Sequence, residues 1–168
     1  MMNYPIVNTE RLFARVLHLD DVDLIYKHFS NQEVTRYMDI DVCKERAEAE
    51  EIITFHMSDP GCRYGLFLKD TGEFIGTCGY HCWMLDANGS RAEIGFDLHP
   101  NYWGQGYMKE ALNEIVKIGF ELMELDLIEA TTEQENKQCQ RLLNKVGFIK
   151  EEVLKENLMY YRLNKKTI

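Results

Sequence analysis

The chain has 168 residues, 45% of them hydrophobic, and a formal net charge of −9. That length suits one domain, spanning 1–168, with a proper core, and the apolar share excludes a disordered chain. The acidic balance argues against nucleic acid, whose binding needs clustered Lys and Arg, and would attract cationic substrates, amines included. An acidic surface kept for solubility explains it equally well. No apolar run is long enough to span a membrane. The opening MMNYPIVNTERL lacks a basic region followed by an apolar block, so a cytoplasmic location is expected. The five cysteines form an odd count without a C-x-x-C pair, which reads as reduced thiols. The run Cys78-Gly-Tyr-His-Cys82 lacks a second ligand pair, so no metal is expected.

Asn8-Thr9-Glu10 leads into a strand over 11–17, where Leu12, Ala14 and Val16 alternate with polar or long residues. Asp20 or Asp21 then caps a helix carrying Val22, Ile25, Tyr26 and Phe29 at helical spacing. A catalytic reading of that acidic pair is weaker than the cap. Ser30-Asn31 breaks the helix, and 33–38 reads as a short helix or turn. A second helix over 44–57 has an acidic outer run, 48–51, read as a solvated face. Strands follow at 63–69 and 74–83 around the turn Asp70-Thr71-Gly72-Glu73, with Gly76 and Gly79 marking bends. A turn at 86–90 precedes the strand 91–98.

Residues 99–112, HPNYWGQGYMKEAL, join that strand to a helix read as 104–123. Its apolar positions recur with a period near 3.6, so one face is core. A Gly-bearing turn at a helix start exposes unpaired N–H groups at the positive end of the dipole, a ready phosphate site. Gly104-Gln105-Gly106 alone is a weak signal, and a loop that needs positive φ is the bland alternative. No phosphate-loop consensus occurs, and the third glycine of a dinucleotide fingerprint would fall on Lys109. Beyond it come a strand at 127–132, a helix at 135–145 capped by Gly147, and strands near 148–154 and 158–163. The order is β-α-α-β-β-β-α-β-α-β-β, with no internal repeat or linker.

Three stretches carry a family resemblance: NTERLFARVLHLDDVDLIYKHFSNQEVTRYM, AEIGFDLHPNYWGQGYMKEAL and ENKQCQRLLNKVGF. In that order they resemble the GNAT N-acetyltransferases, in the branch similar to the RimJ/RimL protein N-terminal acetyltransferases. The resemblance implies an α+β fold with a mixed central sheet of about six or seven strands and about four flanking helices. It also implies acetyl-CoA as co-substrate, an amine acceptor, no metal and a sheet splayed at the strand ending in Leu98. Backbone groups of Phe96, Asp97 and Leu98 would meet the pantetheine arm. Trp103 opens the loop, and amides of Gly104, Gln105, Gly106, Tyr107 and Met108 would hold the pyrophosphate. Asn136 would contact the arm, with Lys137 or Arg141 available to its phosphates; by itself Asn136 also reads as a helix cap. Three departures stand out. Met108 replaces a small residue, Cys139 replaces a serine, and Leu143 stands where many members have a general-acid tyrosine.

Glu93 is the strongest candidate base, with an ion pair to Arg91 or another cation as the competing reading, and Asp97 is the second. Cys139, Tyr160 or Tyr161 could supply a proton, against plain strand packing for the tyrosines. Covalent catalysis by Cys139 has no nearby histidine to support it. His81 and His99 receive no role. The leading expectation is acetylation of a protein N-terminal amine, then of a small cationic amine such as a polyamine or aminoglycoside. A CoA-binding module with little catalysis is the third reading. Exposed strand edges would allow a homodimer.

Overall fold

The computed structural model describes residues 2–165, so the two ends of the expected 1–168 domain lie outside the described residues. Eight strands form one sheet. They are β1 Val7–Asn8, β2 Leu12–Val16, β3 Cys62–Leu68, β4 Phe74–Asp86, β5 Gly89–Leu98, β6 Leu127–Thr132, β7 Ile149–Lys150 and β8 Met159–Asn164. Their order across the sheet is β1-β2-β3-β4-β5-β6-β8-β7. Every neighbouring pair is antiparallel except β5 and β6. Five α-helices accompany it: α1 Val22–Phe29, α2 Gln32–Thr35, α3 Arg46–Ser58, α4 Tyr107–Lys117 and α5 Lys137–Val146.

The period-2 alternation of the strands sorts side chains onto two faces. On one face Leu12, Tyr64, Leu66, Tyr80, Ile94, Ile128 and Tyr161 join the apolar stripes of α4 and α5 in the larger core. On the other, Val22, Ile25 and Phe29 of α1 pack with Ala49 and Ile53 of α3 in a smaller one. The helices α1 and α3 cover only part of this second face, and a polar cluster occupies the part near β5, β6 and β8.

Several boundaries differ from the sequence reading for identifiable reasons. The expectation of six or seven strands gains β1, a two-residue pairing with β2. The strand read as 148–154 stops at Lys150, because Lys155 and Leu158 close a tight turn with positive φ at Glu156 and Asn157. The strand read as 74–83 continues to Asp86 through a register shift between His81 and Met84, with Cys82 at φ 52°. Such a bulge bends a strand and re-aims its side chains. Asp21 does not cap α1 through its side chain; its carboxylate accepts from both terminal nitrogens of Arg15, at 2.7 and 2.8 Å. The helix read as 104–123 begins at Tyr107 and widens into a π-turn over 118–122. Tyr80 is the cause. Its hydroxyl donates to the Ile115 carbonyl at 2.9 Å, and a Cβ at Gly119 would lie 2.4 Å from that oxygen. The inserted phenol displaces the regular ladder.

Candidate active site

The parallel pairing of β5 with β6 covers only Arg91, Ala92 and Glu93, opposite Leu127, Ile128 and Glu129. Beyond Glu93 the two strands part, and β5 keeps pairing with β4 alone as far as Leu98. His99 donates its N–H to the Ile75 carbonyl at 2.8 Å. Hydrogen-bonding direction alternates along an antiparallel strand, so the backbone groups of Phe96 and Leu98 project into the gap rather than toward β4. The indole Nε1 of Trp103 already donates to the Leu98 carbonyl at 2.7 Å. That ties the loop to the strand end and leaves the Phe96 groups and the Leu98 N–H for a ligand.

The loop after β5 is built by two left-handed glycines, Gly104 at φ 71° and Gly106 at φ 84°, the latter the N-cap of α4. A side chain at either would strain the backbone. Arg11 holds the loop from behind. Its Nε donates to Glu110 Oε2 at 2.7 Å and its Nη1 to the Gln105 carbonyl at 3.0 Å, while the guanidinium lies 4.1 Å from the Tyr107 ring centroid. The Arg11 amide and the Thr9 hydroxyl both donate to Glu110 Oε1. Arg11 carried no site signal in the sequence, because its partners lie about a hundred residues away.

A groove of about 780 Å³ runs from this loop along the gap. Phe96, Asp97, Leu98, Trp103, Gly104, Gly106, Tyr107, Met108, Asn136, Cys139 and Arg141 line it, so the structure brings together nearly all the predicted cofactor residues. Gln105 belongs to the loop but turns its side chain back, donating to the Asn101 carbonyl at 2.8 Å. Arg36, Lys109, Lys137 and Lys145 add positive charge around the groove. Only Lys137 among these four was anticipated; the others arrive from the end of α2, from α4 and from α5 by folding. Met108 is buried in the larger core while also bordering the groove. Leu143 is fully buried. Asn136 does cap α5, accepting from the Cys139 N–H at 3.1 Å.

On the opposite face, Glu93 occupies the last paired position before the strands part. Thr131 donates to its Oε1 at 2.6 Å, and Lys155 Nζ lies 3.7 Å from its Oε2. The competing reading of Glu93 as an ion-paired strand carboxylate thus finds its cation in Lys155, while Arg91 pairs instead with Asp86 at 2.8 Å. His81 is the cross-strand neighbour of Glu93, and Gly95 leaves room for the His81 ring and the Arg63 guanidinium above it. Burial lowers the His81 pKa, the Glu93 charge opposes this and Arg63 adds to it, so the imidazole is held neutral. His56 of α3 is lowered to about 3, first by burial and then by Arg63 and His81.

Three predicted catalytic roles change in this setting. Asp97 is buried, and its carboxylate takes His28 Nε2 at 2.6 Å, the Thr77 hydroxyl at 2.5 Å and Arg63 Nη2 at 3.4 Å. Burial alone would raise its pKa, but the His28 hydrogen bond and the charges of His28 and Arg63 bring it below the ordinary value. A saturated, acidic carboxylate is a brace for β5 and not a base, although its backbone still lines the groove. The Cys139 thiol is raised to about 11 by burial, only partly offset by a hydrogen bond with Thr132. It is neither a thiolate nucleophile nor a stronger acid than a leaving thiol near pKa ~8.5. Tyr160 donates its hydroxyl to Glu129, and burial followed by that carboxylate raises its pKa. Tyr161 is buried in the larger core. The run from Cys78 to Cys82 does not converge, since Cys78 is buried and Cys82 is exposed. Among the described residues no group of His, Cys, Asp and Glu could hold a metal ion.

A groove with converging backbone N–H groups at one end, a free strand edge along it and cations around it fits a long, phosphorylated cofactor. Residues 11–149 match the Acetyltransferase (GNAT) domain family. The chain belongs to the GNAT acetyltransferases. It is 39% identical over 152 residues to the uncharacterized N-acetyltransferase p20 of Bacillus licheniformis, covering 88% of this chain and 84% of that protein. Among solved structures, the spermidine N-acetyltransferase of Vibrio cholerae, in complex with CoA and spermine, superposes with TM-score 0.81 at 19% identity. That match covers 94% of this chain and 97% of the other. A ribosomal-protein acetyltransferase from Vibrio fischeri superposes with TM-score 0.77 at 17% identity, over 98% and 100% of the two chains. GNAT enzymes use acetyl-CoA, and the loop and groove of this chain suit it. No helix among the described residues is long and apolar enough to cross a membrane.

Proposed function

We propose that this GNAT enzyme acetylates a primary amine by direct attack on bound acetyl-CoA, with Glu93 as the proton acceptor and a small cationic alkylamine as the acceptor. Acetyl-CoA supplies an activated thioester whose thiol, pKa near ~8.5, leaves without needing a strong acid. The loop amides and nearby cations anchor the phosphates, and the free edge at Phe96 and Leu98 aligns the arm. Glu93 carries the reading: it stands where the strands part, on the face opposite α4, aimed by Thr131. An alkylamine with pKa near ~10.4 costs about 4–5 kcal/mol to neutralise at pH 7, so a positioned base matters.

The resemblance to the RimJ/RimL branch favours a protein N-terminal α-amine, as does the likeness to the Vibrio fischeri structure. The paired carboxylates Glu93 and Glu129 and the net charge of −9 move the choice toward a cationic alkylamine, as does the likeness to the spermidine enzyme. CoA release from acetyl-CoA decides between them. Spermidine and an N-terminally blocked lysine peptide are compared with Ser- and Ala-starting peptides. Faster release with spermidine supports the proposal, and faster release with the free peptide N-termini reverses the acceptor assignment. Absence of both CoA release and an acetyl-CoA-induced rise in melting temperature would refute this reading of the site.

A further inference from the structure

The hairpin between β7 and β8 projects one cation onto the Glu93 face. Lys155 Nζ lies 3.7 Å from Glu93 Oε2 and 3.5 Å from Glu129 Oε1, and 5.4 Å from the centre of the Tyr160 ring. Two carboxylates and an aromatic face make a cradle for an ammonium group. The cradle is organised independently of Lys155. Thr131 orients Glu93 and Tyr160 orients Glu129, and the side chains of Glu93 and Glu129 are only 18% and 12% exposed. The lysine itself is 38% exposed and sits on a tight turn that pairs only with itself at Lys155 and Leu158. The ammonium therefore comes from a tight turn at the sheet's edge, while its holders belong to the sheet.

We propose that the Glu93–Glu129–Tyr160 cradle is the subsite for the acceptor's ammonium group, and that Lys155 is its internal occupant. An incoming alkylammonium displaces the lysine. The lysine's unbranched methylene stem shows the chemical class the cradle takes, a linear primary alkylamine. Lys155 thereby sets acceptor affinity: it competes with weak acceptors and yields to those whose further charges engage the acidic surroundings. This rests on the proposed reading of the Glu93 face as the acceptor side.

The experiment compares Lys155→Met, which keeps the stem and removes the charge, with Lys155→Arg, which keeps a cation. An exposed ion pair with two carboxylates is worth enough to shift competition about three- to tenfold. The KM for spermidine is expected to fall by that factor in Lys155→Met and to return toward the wild-type value in Lys155→Arg. The KM for acetyl-CoA should be the same in all three proteins. Calorimetric titration of spermidine, with and without CoA, should show the same tightening without requiring turnover. An unchanged or raised spermidine KM and Kd in Lys155→Met would overturn the proposal and leave Lys155 as an ordinary structural ion pair. Failure of the wild-type chain to bind acetyl-CoA counts against the proposed function instead, and the CoA-free titration still decides the role of Lys155.

Discussion

Alternate side chains of β5 meet two different environments. Ala92, Ile94, Phe96 and Leu98 face or border the larger core, beside the groove. Arg91, Glu93, Gly95 and Asp97 face ion pairs, two histidines and the buried Asp97 network. In the proposed reading the groove side meets the cofactor largely through main-chain groups, which almost any sequence supplies once the strands part and the glycines turn. Recognition through the main chain is compatible with the departures at Met108 and Cys139, which border the groove, and at the buried Leu143. On the other side the proposed recognition and proton transfer rest on side chains, so single substitutions there are expected to change what the enzyme acetylates.

The sharpest way to break this division is Glu93→Gln. It should lower kcat by about 10²- to 10³-fold and leave the acetyl-CoA KM unchanged in steady-state assays. A comparable rise in that KM would show that the two faces are not separable.

The pH dependence of stability should also belong to one face. His56 and His81 have folded pKa values below the unfolded ~6.5, so the unfolded chain binds more protons as the pH falls. Their neutral forms favour the native state fully above about pH 6.5, and that support is lost as the pH drops from there toward the folded values. The slope reaches up to ~1.4 kcal/mol per pH unit for each histidine. The cysteines of the larger core do not titrate in this range, because burial pushes Cys62 up to about 12 and Cys78 higher still. Denaturant melts at pH 7 and 5.5 should show the loss, and His56→Gln should remove part of it. An unchanged slope would place the sensitivity elsewhere.

Gly106→Ala probes the groove face. The left-handed conformation costs a non-glycine residue about 1–2 kcal/mol, so the acetyl-CoA KM should rise roughly five- to thirtyfold while the amine KM stays. Arg11→Gln loosens the same loop from behind. About a threefold rise in acetyl-CoA KM is expected, absent with an acetyl thioester of pantetheine that lacks the phosphates. A defect of equal size with both thioesters would mean that Arg11 supports the fold and not the phosphate loop.

Much of the architecture was legible in local pattern. The alternation at Leu12, Ala14 and Val16 and the turn at Asp70–Glu73 report backbone geometry within a few residues. The α4 stripe and the left-handed glycines before it do the same, and all were found where spacing placed them. Glu93 entered as a candidate base through the family resemblance, because a strand carboxylate has no local signature. The misread boundaries had distant causes. The Tyr80 phenol widens the end of α4 from a strand thirty-five residues earlier, and the bulge at Cys82 extends β4.

The sequence by itself determined the order of elements, the polarity of each strand face and the phosphate-ready turn at 104–106, since these follow from periodicity and backbone preference. Only the tertiary structure decided that Asp97 is a buried brace, that Arg11 clamps the loop and that Lys155 lies between Glu93 and Glu129. Each of those depends on which charges meet across the sheet, and desolvation and partner distance exist only once the chain has folded.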